Sequence, residues 1–115
     1  MMEGYLYALY NPIFQGPVTD TYLLKIGMTT KDPWSRAKEL FTTGLPQPFH
    51  VVWHEQRDNI AWYEERLHRQ LALHRFARNR EFFVLNEDYH DFLNKQLLEC
   101  DECFEFCKSL NPDLI

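Results

Sequence analysis

The chain has 115 residues, 45% of them apolar and 16% aromatic, with four glycines, six prolines and a net charge of −5. That composition describes one packed domain and excludes a disordered or low-complexity segment, and the acidic balance argues against indiscriminate binding to polyanions. No stretch approaches the roughly 18 consecutive apolar residues of a membrane span, and "MMEGYLYALY" lacks the basic start and cleavage site of a secretory signal, so a cytoplasmic, membrane-free protein is expected.

In chain order, "YLYALY" (5–10) and "YLLKIG" (22–27) read as strands rich in tyrosine and aliphatic residues. The loop between them, "NPIFQGPVTDT", carries two prolines and a glycine and makes a wide hairpin. Asp32 followed by Pro33 is a helix start, because the aspartate can accept from first-turn amides and proline sits where no donor is needed. That helix should run over about 33–42 and stop near Gly44. "FHVVWHEQ" (49–56) reads as a third strand, after which Asp58 is expected to cap a helix reaching about His74.

On this second helix Ile60, Leu67 and Leu71 form an apolar stripe, and Glu64 falls on the same stripe. A carboxylate facing a core is costly unless paired, hydrogen-bonded or bound to metal. Glu65 lies instead on the neighbouring flank with Ala61, His68 and Ala72. "EFFVL" (81–85) reads as a short fourth strand or extended edge, and the rest, starting near Asp88, as a terminal helix that is either continuous or broken. The fold class is therefore α+β, a small antiparallel or mixed sheet of three to four strands flanked by helices, with an additional C-terminal helix. Residues 1–86 would form the core, and 87–115 an acidic helical extension packed on the same domain.

Charge is unevenly divided. Residues 87–115 carry eight acids against Lys95 and Lys108, a net −6 that leaves the remainder at +1. Arg66, Arg69, Arg75, Arg78 and Arg80 form a run without an acid. With Lys31, the arginines 69, 75, 78 and 80 are the candidate contacts to a nucleic acid; the alternative is a solvated helix face. Cys100, Cys103 and Cys107 have a CxxC spacing but share a helical face with Leu93 and Leu97. They read either as small core residues or as part of a zinc or redox pair that lacks a fourth ligand.

A tyrosine pair on the first strand, Lys25-Ile26-Gly27 ending the second, Arg36 on the next helix and the inward Glu64 are suitable parts for phosphodiester hydrolysis. Such chemistry needs a carboxylate to hold a divalent cation, a cationic side chain to stabilise charge on phosphorus and an oxygen to prepare water. Their order resembles the GIY-YIG nuclease superfamily, in its divergent branch of phage and bacterial proteins that carry KIG in place of YIG. "YLY" (5–7) is similar to the first motif and places Tyr7 at its tyrosine. "KIGMTTKDPWSRAKEL" is similar to the second motif and the helix after it, placing Arg36 at the catalytic arginine. "EERLH" resembles the family's glutamate element, with Glu64 as the metal ligand and His68 one turn later, and "NREFFVL" resembles its final segment.

The resemblance spans about residues 4–85. It implies a metal-dependent DNA endonuclease in which Glu64 holds Mg²⁺ or Mn²⁺, Arg36 stabilises the transition state, and Tyr7 positions or deprotonates water. The sequence departs from the family at Tyr5, in place of the first glycine, in its longer hairpin loop, and at Lys25, in place of the second tyrosine, where a lysine would meet a phosphate as a point charge. Asn79 is a candidate for the family's late asparagine, and Glu81 for a structural role. The alternative is a catalytically inactive module of the same fold that binds nucleic acid or protein, acting in phage–host conflict. A homo-oligomer or a protein partner would then engage the C-terminal helix.

Overall fold

The computed structural model describes residues 2–14, 16–76 and 81–114. Its sheet has four strands, β1 (Gly4–Tyr10), β2 (Thr21–Thr29), β3 (His50–Arg57) and β4 (Phe82–Asn86), in the order β3-β1-β2-β4 with every pairing antiparallel. The helices are α1 (Pro33–Leu40), α2 (Ile60–Gln70) and α3 (Tyr89–Leu110), with short 3₁₀ turns at Ala72–His74 and Pro112–Leu114. The expected α+β class and its extra terminal helix are present, and α3 is continuous.

Alternation along β1 sorts the core into two layers. Leu6 and Ala8 join Leu24, Ile26 and Trp53 beneath Ile60, Tyr63 and Leu67 of α2 and Leu93, Leu97 and Cys100 of α3. Tyr7 and Leu9 face the other way and pack on Ala37 of α1 with Leu40, Phe49 and Val51. The central strand is therefore covered on both faces, so the first hairpin is apolar throughout and not alternating.

A local signal explains the start of α1. Asp32 caps α1 as expected, its carboxylate accepting from Ser35 N–H at 2.8 Å, with Pro33 in the first turn. The start of α2 differs from expectation. Asp58 does not cap it; the cap position is Asn59, in the left-handed region at φ 57°, with no side-chain cap. The first amide, of Ile60, instead donates to the Met2 carbonyl at 3.1 Å. A main-chain acceptor from the amino terminus thus replaces the aspartate, and asparagine tolerates the left-handed turn that this requires.

The terminal helix is bound by polar contacts as well as by its leucines. The Trp53 indole donates to Asn94 at 2.9 Å, and Asp101 receives Arg57 at 3.1 Å on each carboxylate oxygen and the Tyr63 hydroxyl at 2.7 Å. Burial pushes the Asp101 carboxyl up, but the Arg57 and Tyr63 hydrogen bonds outweigh it and hold the group below its ordinary range. Burial first, and then the Asp101 hydrogen bond and charge, raise the Tyr63 phenol, with Arg57 opposing them. With Arg57 and Asp101 side chains only 29% and 31% exposed, this is stronger than a surface ion pair. Asp101→Ala is expected to lower the unfolding free energy by about 2 kcal/mol, read as a shift in urea midpoint at constant slope. A change below about 0.5 kcal/mol would place the cluster among ordinary surface pairs.

Cys100 is buried in the core, and burial pushes its thiol up to about 12. Cys103 and Cys107 are half-buried, all three thiols are free, and among the described residues no group of three or more His, Cys, Asp or Glu is arranged to hold a metal ion. The core reading of these cysteines therefore stands at Cys100. No helix among the described residues is long and apolar enough to cross a membrane.

Candidate active site

The site begins where a strand runs out. β4 ends at Phe82, paired with Lys25, so β2 extends past it with outward-facing groups on Ile26 and Met28. Three of these groups find a substitute partner. Ile26 N–H donates to the Glu81 carbonyl at 2.8 Å, the Ile26 carbonyl accepts from His68 Nε2 at 2.7 Å, and Met28 N–H donates to the Glu64 carboxylate. These bonds satisfy edge groups that burial would otherwise penalise, and they draw the Glu64 side chain of α2 around the sheet edge.

On the α1 face, Tyr7 lies directly opposite Gly27. A Cβ at residue 27 would stand 2.8 Å from the Tyr7 hydroxyl and 3.4 Å from Glu64 Oε2. The missing side chain thus leaves a small space between a phenol and a carboxylate that come from different layers. Gly27 has no positive φ, so space and not backbone freedom is what glycine supplies here.

Arg36, in the first turns of α1, closes the third side. Its guanidinium hydrogen-bonds Tyr7 and also reaches Glu39 at 3.4 Å. Burial raises the Tyr7 phenol above its ordinary value, and the Arg36 hydrogen bond and charge offset this only in part, because the Glu81 and Glu64 charges add to it. Tyr7 is thereby kept as a neutral O–H at physiological pH and is suited to positioning an oxygen more than to deprotonating water. Glu64 is raised by burial first and by the nearby Glu81 charge, with His68, the Met28 amide and Lys25 acting in the opposite direction.

Lys25 is 8% exposed and bonds Glu81 Oε2 at 3.0 Å, with its ammonium 5.5 Å from the Phe82 ring centre. It is held in an ion pair beside the cleft. His68 is fixed by the Ile26 carbonyl and packs 5.1 Å from the Phe83 ring, so it orients the β2 edge and does not project freely into the space.

The basic candidates separate. Lys31 pairs with Glu39 at 2.7 Å, and Arg69 pairs with Glu65 at 2.8 Å on the exposed face of α2. Arg75 lines a hollow with Glu64, His68 and Arg69, lies 5.5 Å over the Phe83 ring, and has its Nε buried without a hydrogen-bond partner among the described residues. Arg78 and Arg80, with Asn79, lie outside the described residues.

The sequence marks Glu81 only for a structural role and does not mark Glu39. Glu39 joins Lys31 and Arg36 into one charged group, and Glu81 becomes the Lys25 partner only because β4 pairs with β2, 56 residues apart in sequence. An i, i+3 spacing after Arg36 could have pointed to Glu39; nothing local points to Lys25 as the partner of Glu81.

No curated protein and no solved structure matches the chain. A family model does, that of the T5orf172 domain, over residues 4–108, which takes in all four strands and nearly all of α3. The chain therefore belongs to the T5orf172 domain family, a phage-derived, nuclease-associated domain.

Proposed function

We propose that the protein is a metal-dependent endonuclease of GIY-YIG type that hydrolyses phosphodiester bonds in DNA. The observation that carries this reading is the space over Gly27, bounded by the Tyr7 hydroxyl and the Glu64 carboxylate, with Arg36 bonded to Tyr7. In the proposed reaction a water oxygen attacks phosphorus in line and releases its proton to solvent, while the opposite P–O ester bond breaks and the leaving oxygen takes up a proton from solvent. Tyr7 holds the attacking oxygen by its O–H. Arg36 has five donors and can keep its Tyr7 bond while contacting a non-bridging phosphate oxygen. The Lys25–Glu81 pair fixes the strand end.

A single half-buried carboxylate suits Mg²⁺ or Mn²⁺, which keep several waters and accept one or two carboxylates plus substrate phosphates, better than zinc, which needs a closed N/S set. Glu64 would hold that cation, which when bound polarises the phosphate and lowers the pKa of water. The defining experiment is cleavage of plasmid, single-stranded DNA and RNA with and without divalent cation, using the wild type beside Glu64→Gln.

One observation favours a second reading, an inactive binding module. Lys25 stands at the second tyrosine's place and is committed to Glu81, so a hydroxyl is missing and the cation is not free. Nucleic-acid binding without cleavage in any cation would decide for it.

Among the described residues, Arg75 is the predicted phosphate contact that is not tied to a carboxylate, whereas Lys31 and Arg69 are paired. Arg75→Gln is expected to reduce the slope of log affinity against log salt by about 0.9 on duplex DNA, the effect of one lost phosphate contact. Arg69→Gln should reduce it by less. An unchanged slope in Arg75→Gln would return the arginine run to plain solvated surface.

A further inference from the structure

Beside the cleft, on the α1 face of the sheet, lies an aromatic group that the proposed chemistry does not use. Trp34 stands two residues before Arg36 and is 55% exposed. Its ring meets that of exposed His54 at 4.8 Å between centroids and 67° between planes, and His54 in turn meets Tyr5 at 6.4 Å and 69°. The register places this group against the site. His54 pairs with Tyr7 across β1 and β3, so Gly27, Tyr7 and His54 form one row across three strands. Tyr5 lies on the same face as Tyr7, about 7 Å along the strand.

Trp34 also forms one wall of a hollow of about 370 Å³ between α1 and β3, lined with Lys38, Phe41, Phe49 and His50. Trp34 and Phe41 are both exposed large apolar residues there, which a packed core does not explain.

We infer that Trp34, supported by His54 and Tyr5, is a stacking platform for an unpaired nucleobase adjoining the phosphate held by Arg36, so the substrate is single-stranded or locally unpaired DNA. This rests on the nuclease reading of the neighbouring cleft and names the form of its substrate. The physical case is complementarity on two sides of one sugar. A phosphate fits the cationic end of the row at Arg36, and the base attached to the next sugar needs an apolar, flat surface within one side-chain length. Trp34 offers that surface at the His54 end of the same row, next to Tyr7. A base inside a duplex has both faces covered by its neighbours and cannot occupy it without leaving the stack. Aromatic stacking also tolerates any sequence, because every base has a π-face. Lys38, in the same hollow, supplies a charge for the following phosphate.

The test is binding without divalent cation, so that no cleavage intervenes, of a single-stranded oligonucleotide and a duplex of equal length to wild type, Trp34→Ala and Trp34→Phe. Because Trp34 is mostly exposed, the variants should keep the wild-type melting temperature, which is checked first. Trp34→Ala should weaken single-strand binding about 10-fold, within the range for loss of one base–aromatic stack, and Trp34→Phe should restore most of it. Duplex affinity should stay within about 2-fold. A single abasic position walked along the oligonucleotide should find one place where wild type loses as much as Trp34→Ala and where the variant loses nothing further, as coupled partners must. Equal weakening of single strand and duplex, or no weakening of either, while wild type still binds DNA, overturns the platform and leaves the nuclease reading intact. Wild type that neither binds nor cuts any nucleic acid overturns both.

Discussion

Glu64→Gln is expected to reduce metal-dependent cleavage about 100-fold or more, since even groups that only orient a metal ligand cost about 10- to 100-fold, while Glu65→Gln stays within about 2-fold of wild type. The two neighbours differ by one helical step and by everything around them. Glu64 is half-buried, accepts from Met28 N–H and stands across Gly27 from the Tyr7 hydroxyl. Glu65 is exposed and paired with Arg69. Glutamine at 64 keeps the shape and can still accept from Met28, so the change removes the charge that would hold a cation and little else. Equal loss in both variants would mean that a different face of α2 serves the cleft.

The same substitution should move stability the other way. Burial raises the Glu64 pKa in the folded protein, so between the ordinary carboxylate value and the raised one the folded state binds more protons than the unfolded chain. Stability contributed by this group is therefore full below the ordinary value and falls as pH rises through the window. Glu64→Gln escapes that loss and should melt at a higher temperature than wild type at neutral pH, with the difference shrinking once the pH drops below about 4. Cleavage by wild type should show an acidic limb at a pH above the ordinary carboxylate range, because the carboxylate must be ionised to hold a cation. A variant that loses activity and also loses stability at neutral pH would point to a structural role for Glu64.

The cleft was legible in part because its residues sit at fixed offsets from strong local signals. Asp32-Pro33 starts α1 and so fixes which side Arg36 faces. The stripe of Ile60, Leu67 and Leu71, all fully buried, orients α2 and marks Glu64 as a carboxylate held against apolar surface. The rest depended on pairings distant in sequence. That β4 lies beside β2 and stops at Lys25 is a fact of topology, and it alone puts Glu81 on Lys25 and frees the β2 edge for His68 and Glu64. The acidic terminal helix likewise reads by composition as a repulsive charge, yet Asp101 is a ligand for Arg57 and Tyr63. Net charge cannot distinguish a solvated carboxylate from one bound in a clamp.

Gly27→Ala should test the space itself. The added methyl would stand 2.8 Å from the Tyr7 hydroxyl and 3.0 Å from its ring carbon, closer than unstrained side chains approach. The ring cannot simply swing aside, because Tyr7 is 1% exposed and packed with Leu9, Ala37 and Phe49. Either Tyr7 shifts with part of the α1 layer or the strands part locally, and overpacking of this kind costs about 1–3 kcal/mol. A displacement of even ~1 Å among reacting groups costs about 10²-fold in rate, so cleavage should fall by that order even where the variant remains folded. Gly44→Ala serves as the control, since a methyl there meets nothing within 4 Å. Adding Tyr7→Phe to Gly27→Ala removes the oxygen that the methyl strikes first, so the double variant should regain part of the lost stability but none of the activity. That split separates a steric fault from a chemical one, because the two substitutions touch and their effects should not add. If Gly27→Ala melts near wild type and cuts DNA at the wild-type rate, no reacting group passes between Tyr7 and Glu64, and the proposed geometry of attack is wrong.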